Sequence, residues 1–310
     1  MNKNASFVKG FKRCWQLHLF MLLGVIYILT FAYYPMFGVQ IAFKDYNPIL
    51  GVWGSEWVGL KHFTKFFTSP HFERTITNTL SISLYSILMG FPLPVVFALL
   101  LNVMRNMRLK KFIQTITYIP HFISTVVLVG MIFQLLSPVS GLYGSFYKLL
   151  GGEGYPMDIL GQKNAFIHLY VWSGIWQEMG WGSIIYLAAL SGVSPELHEA
   201  ATIDGASRLQ RIWHVDLPAI LPTVAIMLIM RSGSVMSVGF EKTYLMQNSV
   251  NLSASEVIST FVYKQGLGKG TRGFSYGSAI GLFNSVVNFV MLILVNTITK
   301  KLSGDTASLW

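Results

Sequence analysis

Charged residues and cysteine are both scarce in this chain of 310 residues. Asp, Glu, Lys and Arg together make up 12% of the sequence, whereas hydrophobic residues make up 53%. Soluble domains usually carry about 25% charged residues, so this composition argues against an ordinary soluble protein. Because Cys14 is the single cysteine, an internal disulfide bond is excluded.

Motifs for catalysis are also missing. There is no GxxxxGK[ST] loop, and the nearest string, GLGKGTRG at Gly266–Gly273, has the wrong spacing and is interpreted as a turn. The histidines show no metal-ligand spacing, and no nucleophile elbow occurs. We therefore predict a chain that is not an enzyme, has no ATPase site of its own and binds no metal or cofactor. The energy for its function would come from a partner or an ion gradient.

Long apolar segments are abundant by contrast. Each is long enough to cross a hydrocarbon core, which needs about 20 helical residues, and backbone groups inside lipid must be satisfied within the helix. The sequence predicts an all-α membrane protein with six transmembrane helices in one domain at 17–299. The six segments are residues 17–41, 76–104, 112–136, 164–190, 217–240 and 278–299.

Basic residues predict the orientation of these segments. Lys and Arg are roughly twice as dense on the side that holds both termini, and the RNMRLKK run at 105–111 is the sharpest example. The positive-inside rule makes that side cytoplasmic, which predicts cytoplasmic tails at 1–16 and 300–310. The first segment is too long for a cleavable signal peptide and is expected to remain. This bias accounts for the net charge of +10 without nucleic-acid binding.

A polar segment at 194–222 separates the fourth and fifth apolar segments. Ser194, Pro195 and Glu196 suit a helix start, because they supply a capping hydroxyl, a preset φ and a favourable charge. Gly205 permits a sharp turn, and a second amphipathic piece follows it. We predict a short helix, a turn and a second short helix at the membrane surface. A hairpin without a partner is the simplest alternative, and the flanking spans argue against a soluble DNA-binding helix-turn-helix.

This segment resembles the EAA loop of ABC importer permeases, placed here at about 191–216. The family pattern is Glu-Ala-Ala, three residues, Gly, nine residues, an aliphatic residue, any residue and Leu-Pro. The chain matches it with Glu199-Ala200-Ala201, Gly205 and Val215-Asp216-Leu217-Pro218, and Asp204-Gly205-Ala206 fits the sugar-permease branch. The resemblance implies that Glu199, Ala200, Ala201, Asp204, Gly205 and Ala206 couple this chain to an ATPase.

Further segments are similar to the polysaccharide and complex-oligosaccharide type of sugar permease, among them FKDYNPILGVWGSEWVGLKHFTKFF, YIPHFISTVVLVGMIFQLLSP and GLFNSVVNFVMLILVN. The resemblance implies a type I importer fold in a bacterial cell membrane. It also implies a second homologous permease, two ATPase subunits that hold ATP and Mg, and an extracellular solute-binding lipoprotein. The function it implies is ATP-driven oligosaccharide import; an ion-gradient-driven sugar carrier is the alternative.

Polar residues inside the apolar segments indicate a substrate path. Charges within a membrane are costly and usually face a cavity or a partner, and aromatic rings beside amides suit the faces and hydroxyls of sugars. The candidates are Tyr170, Trp172, Trp176, Gln177, Glu178, Arg231, Asn284 and Asn288. Alternatively, Glu178 and Arg231 form a structural ion pair, the tryptophans pack or lie at the bilayer edge, and the asparagines join helices.

Overall fold

The computed structural model describes residues 14–268 and 270–303. Most of the two predicted cytoplasmic tails, and residue 269 within the GLGKGTRG string, therefore lie outside the described residues. Within that string, Gly270–Gly273 form a 3-10 turn, in agreement with the turn prediction.

Four described helical stretches are long and apolar enough to span a membrane: Trp15–Phe43, Pro70–Asn102, Arg208–Ser232 and Phe274–Lys301. A fifth is the pair Met107–Phe122 and Thr125–Leu136, which is bent by 99°. The helix Lys163–Ser191 coincides with the predicted fourth segment and has 29 residues, which is ample length for a span. Its polar residues, among them Gln177 and Glu178, lower its hydropathy below that of the others.

The chain divides into two compact units. The first contains the described residues up to Phe66 together with Gln265–Leu282, and the second contains Phe67–Lys264 and the described residues from Phe283 onward.

The first unit begins with α1, Trp15–Ile28, which continues through a π turn, Leu29–Tyr33, and a 3-10 segment, Tyr34–Phe43. A small hairpin follows, an addition to the all-α prediction, with β1 (Lys44–Asp45) antiparallel to β2 (Glu56–Trp57). The first unit also contains α2 (Gly51–Gly54) and most of α3 (Lys61–Phe67). The ammonium of Lys44 donates to the carbonyl of Val52 at 2.7 Å and closes the loop.

The second unit holds most of the helices. They are α4 (Pro70–Gly90), α5 (Pro92–Asn102), α6 (Met107–Tyr118), α7 (Thr125–Leu136), α8 (Leu142–Leu149), α9 (Lys163–Ser191), α10 (Pro195–Ile203), α11 (Arg208–Arg211), α12 (Leu217–Ser232), α13 (Phe240–Met246), α14 (Leu252–Ser255) and α15 (Ile258–Gly266). The last helix, α16 (Phe274–Ser303), begins in the first unit and ends in the second.

Helix α9 is central to the second unit because it packs on α4, α5, α6 and α12. One buried cluster joins α5, α9 and α12 through Val95, Ala98, Leu99, Tyr186, Leu190 and Ile220. Close approach to α6 depends on Gly180, since a Cβ there would lie 2.1 Å from the carbonyl oxygen of Thr117. Only glycine allows the two backbones to pack at this distance.

The predicted third segment, 112–136, is a broken helix and not a continuous one. Pro120 lacks a backbone donor, and Ser124 accepts a hydrogen bond from the Val127 N–H at 3.3 Å to cap α7 as a new helix. A short 3-10 turn, Ile119–Phe122, makes the bend.

The predicted fifth segment, 217–240, was too long. Helix α12 ends at Ser232, where Gly233 and Ser234 are poor helix formers, and α13 starts only at Phe240. One backbone group in this break is bonded by Asn288, whose side-chain oxygen accepts the Met236 N–H at 2.8 Å. This break brings α13 to the cavity described next.

Candidate translocation cavity and coupling segment

A cavity of about 570 Å³ lies within the second unit, between α4, α5, α9, α12 and the chain that leads into α13. Of the predicted substrate-path residues, Tyr170, Gln177, Glu178 and Arg231 line it. Hydroxyl groups of Ser83, Ser86, Ser234 and Ser237 add polar character to a mainly apolar wall. A mixed wall of this kind is typical of small-molecule sites.

Lys242 also lines the cavity, although it was not predicted. Its side chain is nearly buried, at 9% exposure, and its ammonium donates to the carbonyl oxygen of Tyr170 at 2.8 Å. Gly174 leaves room for it, since a Cβ there would lie 3.3 Å from the ammonium. The prediction missed Lys242 because it lies beyond the predicted fifth segment and enters the site only through the break after Ser232.

Glu178 is held by a histidine and not by Arg231. A carboxylate oxygen of Glu178 lies 3.0 Å from Nδ1 of His121, and the imidazole of His121 stacks on Trp181 at 4.3 Å between ring centroids. Within the described residues, no ion pair joins Glu178 to Arg231, whose side chain is exposed. The structural ion pair considered above is therefore not formed within this chain.

Two polar residues on α9 have structural contacts. The amide of Gln177 donates to the carbonyl oxygen of Ile123 at 2.7 Å, and so fixes the bend between α6 and α7. The hydroxyl oxygen of Tyr170 accepts the Gly239 N–H at 3.1 Å and holds the chain that leads into α13.

The remaining predicted path residues do not line this cavity. The indole N–H of Trp172 donates to the Tyr85 hydroxyl at 2.9 Å, and Trp176 is 49% exposed. Asn288 joins α16 to the backbone at Met236 and to the Ser237 hydroxyl, the helix-joining role that was the alternative. The Asn284 side-chain oxygen is buried without a hydrogen-bond partner among the described residues.

The EAA-like segment folds as predicted from its local signals. Ser194 caps α10 by accepting the Glu196 N–H at 3.3 Å. Gly205 ends the helix with a φ of +78°, and the Ala206 N–H donates to the Ala201 carbonyl at 2.9 Å while the Gly205 N–H donates to Thr202 at 3.1 Å. This pair of bonds is a Schellman motif, which favours glycine at the left-handed position.

The outer surface of this segment is partly apolar. Ile203 is 86% exposed, and Leu197, Leu209 and Trp213 are each more than half exposed. Glu199, Ala200, Asp204 and Gly205 are also exposed. Exposed apolar side chains that are grouped on a polar loop are typical of a protein-binding surface.

Comparison with known proteins assigns this architecture to a class. Residues 90–304 match the family described as binding-protein-dependent transport system inner membrane component. The chain belongs to this family and is a multi-pass membrane permease subunit of an ABC importer.

Individual relatives are similar over nearly the whole length. The chain is 45% identical over 289 residues to the polygalacturonan/rhamnogalacturonan transport system permease protein YteP of Bacillus subtilis (strain 168), which covers 93% of this chain and 89% of YteP. It is 43% identical to Protein LplB of the same organism, over 98% and 94% of the two chains.

Solved structures agree with the fold. A chain from a bacterial ABC transporter involved in import of the acidic polysaccharide alginate superposes with a TM-score of 0.87 at 37% identity, over 96% of this chain and 99% of that one. A second structure shows a bacterial alginate ABC transporter in complex with an alginate pentasaccharide-bound periplasmic protein, with a TM-score of 0.86 at 37% identity and coverage of 96% and 98%.

Proposed function

We propose that this chain is a permease subunit of an ATP-driven importer for acidic oligosaccharides. It works with a second homologous permease, two ATPase subunits and an extracellular solute-binding protein. Both termini face the cytoplasm. ATP and Mg bind to the ATPase partners, because this chain lacks a phosphate-binding loop, and α10 docks on one of those partners through Glu199 to Ala206.

The observation that carries the acidic specificity is the pair of cations in one cavity. Arg231 and Lys242 both line it, whereas Glu178 is the single carboxylate on its wall. The cavity therefore presents an excess of positive charge. Oligosaccharides built of uronic acids carry a carboxylate on each acidic residue, and charge-assisted hydrogen bonds from Arg or Lys are the strong ones.

YteP and the alginate transporters support this substrate class. YteP is described by polygalacturonan and rhamnogalacturonan transport, and the structural relative by import of the acidic polysaccharide alginate. The serine hydroxyls on the same wall suit the neutral part of a sugar, because they offer hydrogen bonds.

Uptake into liposomes tests the proposal. The complex of both permeases and the ATPase would be reconstituted with its binding protein, and uptake of galacturonate oligomers would be compared with uptake of neutral arabinose oligomers. We expect ATP-dependent uptake that favours the acidic oligomers. Equal or better uptake of the neutral oligomers would contradict the acidic specificity, and uptake driven by an ion gradient without ATP would contradict the importer.

A further inference from the structure

The buried carboxylate of Asp216 joins three elements of the second unit, α5, α10 and the start of α12. Asp216 is 1% exposed and lies at the end of a π-helical turn, Ile212–Asp216, just before α12. Its Oδ1 accepts a hydrogen bond from the side-chain amide of Asn102, the last residue of α5, at 3.1 Å. The same oxygen lies 3.4 Å from Nε2 of His198 on α10.

A second contact ties the same two segments together. Arg211, which precedes the π turn, donates from Nη1 to the Thr202 hydroxyl at 3.1 Å. Thr202 is four residues after His198, so both lie on one face of α10. That face is therefore bound to the chain that enters α12, which leaves other faces of α10 exposed.

Stability alone does not explain this arrangement. The second carboxylate oxygen, Oδ2, is buried without a hydrogen-bond partner among the described residues, and so is Nε of Arg211. A buried polar group that is left unsatisfied costs about 1–3 kcal/mol, more when charged. An apolar residue would fill a buried position at a helix junction at a smaller cost. The carboxylate of Asp216 is better explained by its connection of α5 to α10 through Asn102 and His198.

Two of the elements that meet at Asp216, α5 and α12, also build the cavity. Leu99 on α5, Ile220 on α12 and Tyr186 on α9 belong to one packed cluster, and Tyr186 lines the cavity. Packed clusters move as units and do not deform continuously, so a displacement applied at Asp216 can reach the cavity wall.

We infer that Asp216 is a positioning residue that transmits movement of α10 to α5 and α12 through His198 and Asn102. These three residues form the Asp216 clamp. This inference rests on the proposed function, because the movement of α10 is produced by the ATPase. The clamp connects α10 to two spans, α5 and α12, so that both are displaced when α10 moves. Without the clamp, α10 would be joined to α9 and α11 by the covalent chain and to α11 also by the Arg211–Thr202 hydrogen bond.

The test measures whether ATP still reaches the cavity, and it does not need the correct sugar. Ser86 on the cavity wall would be replaced by cysteine in a Cys14→Ser background, and the rate of thiol labelling in the reconstituted complex would be measured with and without ATP. In this parent we expect ATP to change the labelling rate. In Asp216→Leu, Asn102→Leu and His198→Leu, we expect the ATPase to stay bound while the response to ATP falls about fivefold or more.

The single and double variants distinguish coupling through Asp216 from a purely structural role of this residue. If Asp216→Leu does not assemble, Asn102→Leu and His198→Leu each remove one contact to the same oxygen and answer the question separately. In the double variant Asn102→Leu/His198→Leu, the loss of response to ATP should be smaller than the sum of the two single losses, because both residues act through one carboxylate. His214→Gln is the matched control, since the exposed His214 ring contacts the carbonyl of Gln210 in its own helical turn.

Two outcomes overturn the inference. One is a normal ATP response in Asn102→Leu and His198→Leu complexes that retain the ATPase. The other is loss of ATPase binding in step with loss of the response, which would make the clamp part of the docking surface. If the Ser86→Cys parent complex responds to ATP but takes up no acidic oligomer, the proposed substrate is contradicted, whereas the inference about Asp216 still stands.

Discussion

The ammonium of Lys242 lies 4.8 Å from the ring centroid of Tyr170 and donates a hydrogen bond to the carbonyl oxygen of that same residue. A lysine held in this way has lost most of its side-chain freedom before any ligand arrives. Preorganised cations bind an anion with less entropic cost than mobile ones. The pair therefore makes Lys242 a fixed element of the cavity wall, whereas Arg231 is exposed.

Removal of either cation should weaken uptake of acidic oligomers selectively. We expect Arg231→Gln and Lys242→Met each to lower uptake of galacturonate oligomers on the order of tenfold, which corresponds to one lost charge-assisted hydrogen bond. Uptake by liposomes at limiting substrate is the measurement. Arg105→Gln, in the exposed loop after α5, is the control and should have no effect. An equal loss for neutral oligomers would indicate damage to the complex and not a change in specificity.

The turn after α10 should tolerate little beyond glycine. Gly205 has a φ of +78°, and nothing lies within 4 Å of a Cβ placed there, so the cost of Gly205→Val is backbone strain of on the order of 1 kcal/mol or more. We expect reduced co-purification of the ATPase and reduced ATP-driven uptake. Glu199→Lys, which reverses an exposed charge on α10, should act in the same way.

Gly154→Val is the matched control for this strain. Gly154 also has a positive φ, +74°, but lies in the loop between α8 and α9. Solute capture by the separate binding protein should be unchanged in every variant. Normal ATPase association in both Gly205→Val and Glu199→Lys would show that α10 is not the docking helix.

Close packing of α6 on α9 should make Gly180 intolerant of a single methyl group. A Cβ at Gly180 would lie 2.1 Å from the Thr117 carbonyl oxygen, whereas one at Gly182 would lie 3.4 Å from a side-chain carbon of Pro94. Overpacking of this kind typically costs about 1–3 kcal/mol. We expect Gly180→Ala to lower the thermal stability of the purified complex clearly more than Gly182→Ala does. Equal stability of the two variants would contradict the packing.

The hairpin of the first unit should lose stability in mild acid. Burial lowers the pKa of His62 from its ordinary value of 6.5, with Lys61 and Lys65 acting in the same direction, whereas Asp45 and the Lys44 carbonyl oppose the shift. The unfolded segment therefore binds a proton more readily than the folded one. Stability is complete above pH 6.5 and falls as the pH drops below it.

Hydrogen exchange over residues 44–66, measured above and below pH 6.5, checks this expectation. Exchange should be faster on the acid side beyond the intrinsic pH effect. His62→Gln preserves a donor for the Lys44 carbonyl, which His62 Nε2 approaches to 3.2 Å, and should remove the pH dependence. A pH dependence that persists in His62→Gln would assign it to another group.

Orientation can be tested by cysteine labelling in intact cells. On a Cys14→Ser background, Lys61→Cys and Gly268→Cys should react with an impermeant thiol reagent, and Arg108→Cys should not, because the density of basic residues predicts a cytoplasmic position for Arg108. The opposite pattern would contradict both the predicted orientation and the proposed contact between α10 and an ATPase.

The sequence alone predicts much of this architecture, because the spans and helix ends depend on residues that are close together in the chain. Apolar length identifies the spans, since lipid requires every backbone group to be bonded within the helix. Ser194 and Gly205 determine where α10 starts and ends, because a cap and a left-handed turn depend on the adjacent residues alone. The length of its apolar segment predicted the boundaries of α9 to within one residue at each end, 164–190 against Lys163–Ser191.

Tertiary structure alone decided which polar residues meet. Lys242 reaches the cavity because the helix stops at Ser232 and the chain returns toward α9, a path that helical periodicity does not encode. Likewise, Glu178 faces His121 and not Arg231, and Asp216 meets residues 18 positions before it and 114 positions before it in sequence, His198 and Asn102. Such contacts depend on how separate helices pack, and packing is set by the combined shape of many side chains, which no single segment of sequence contains.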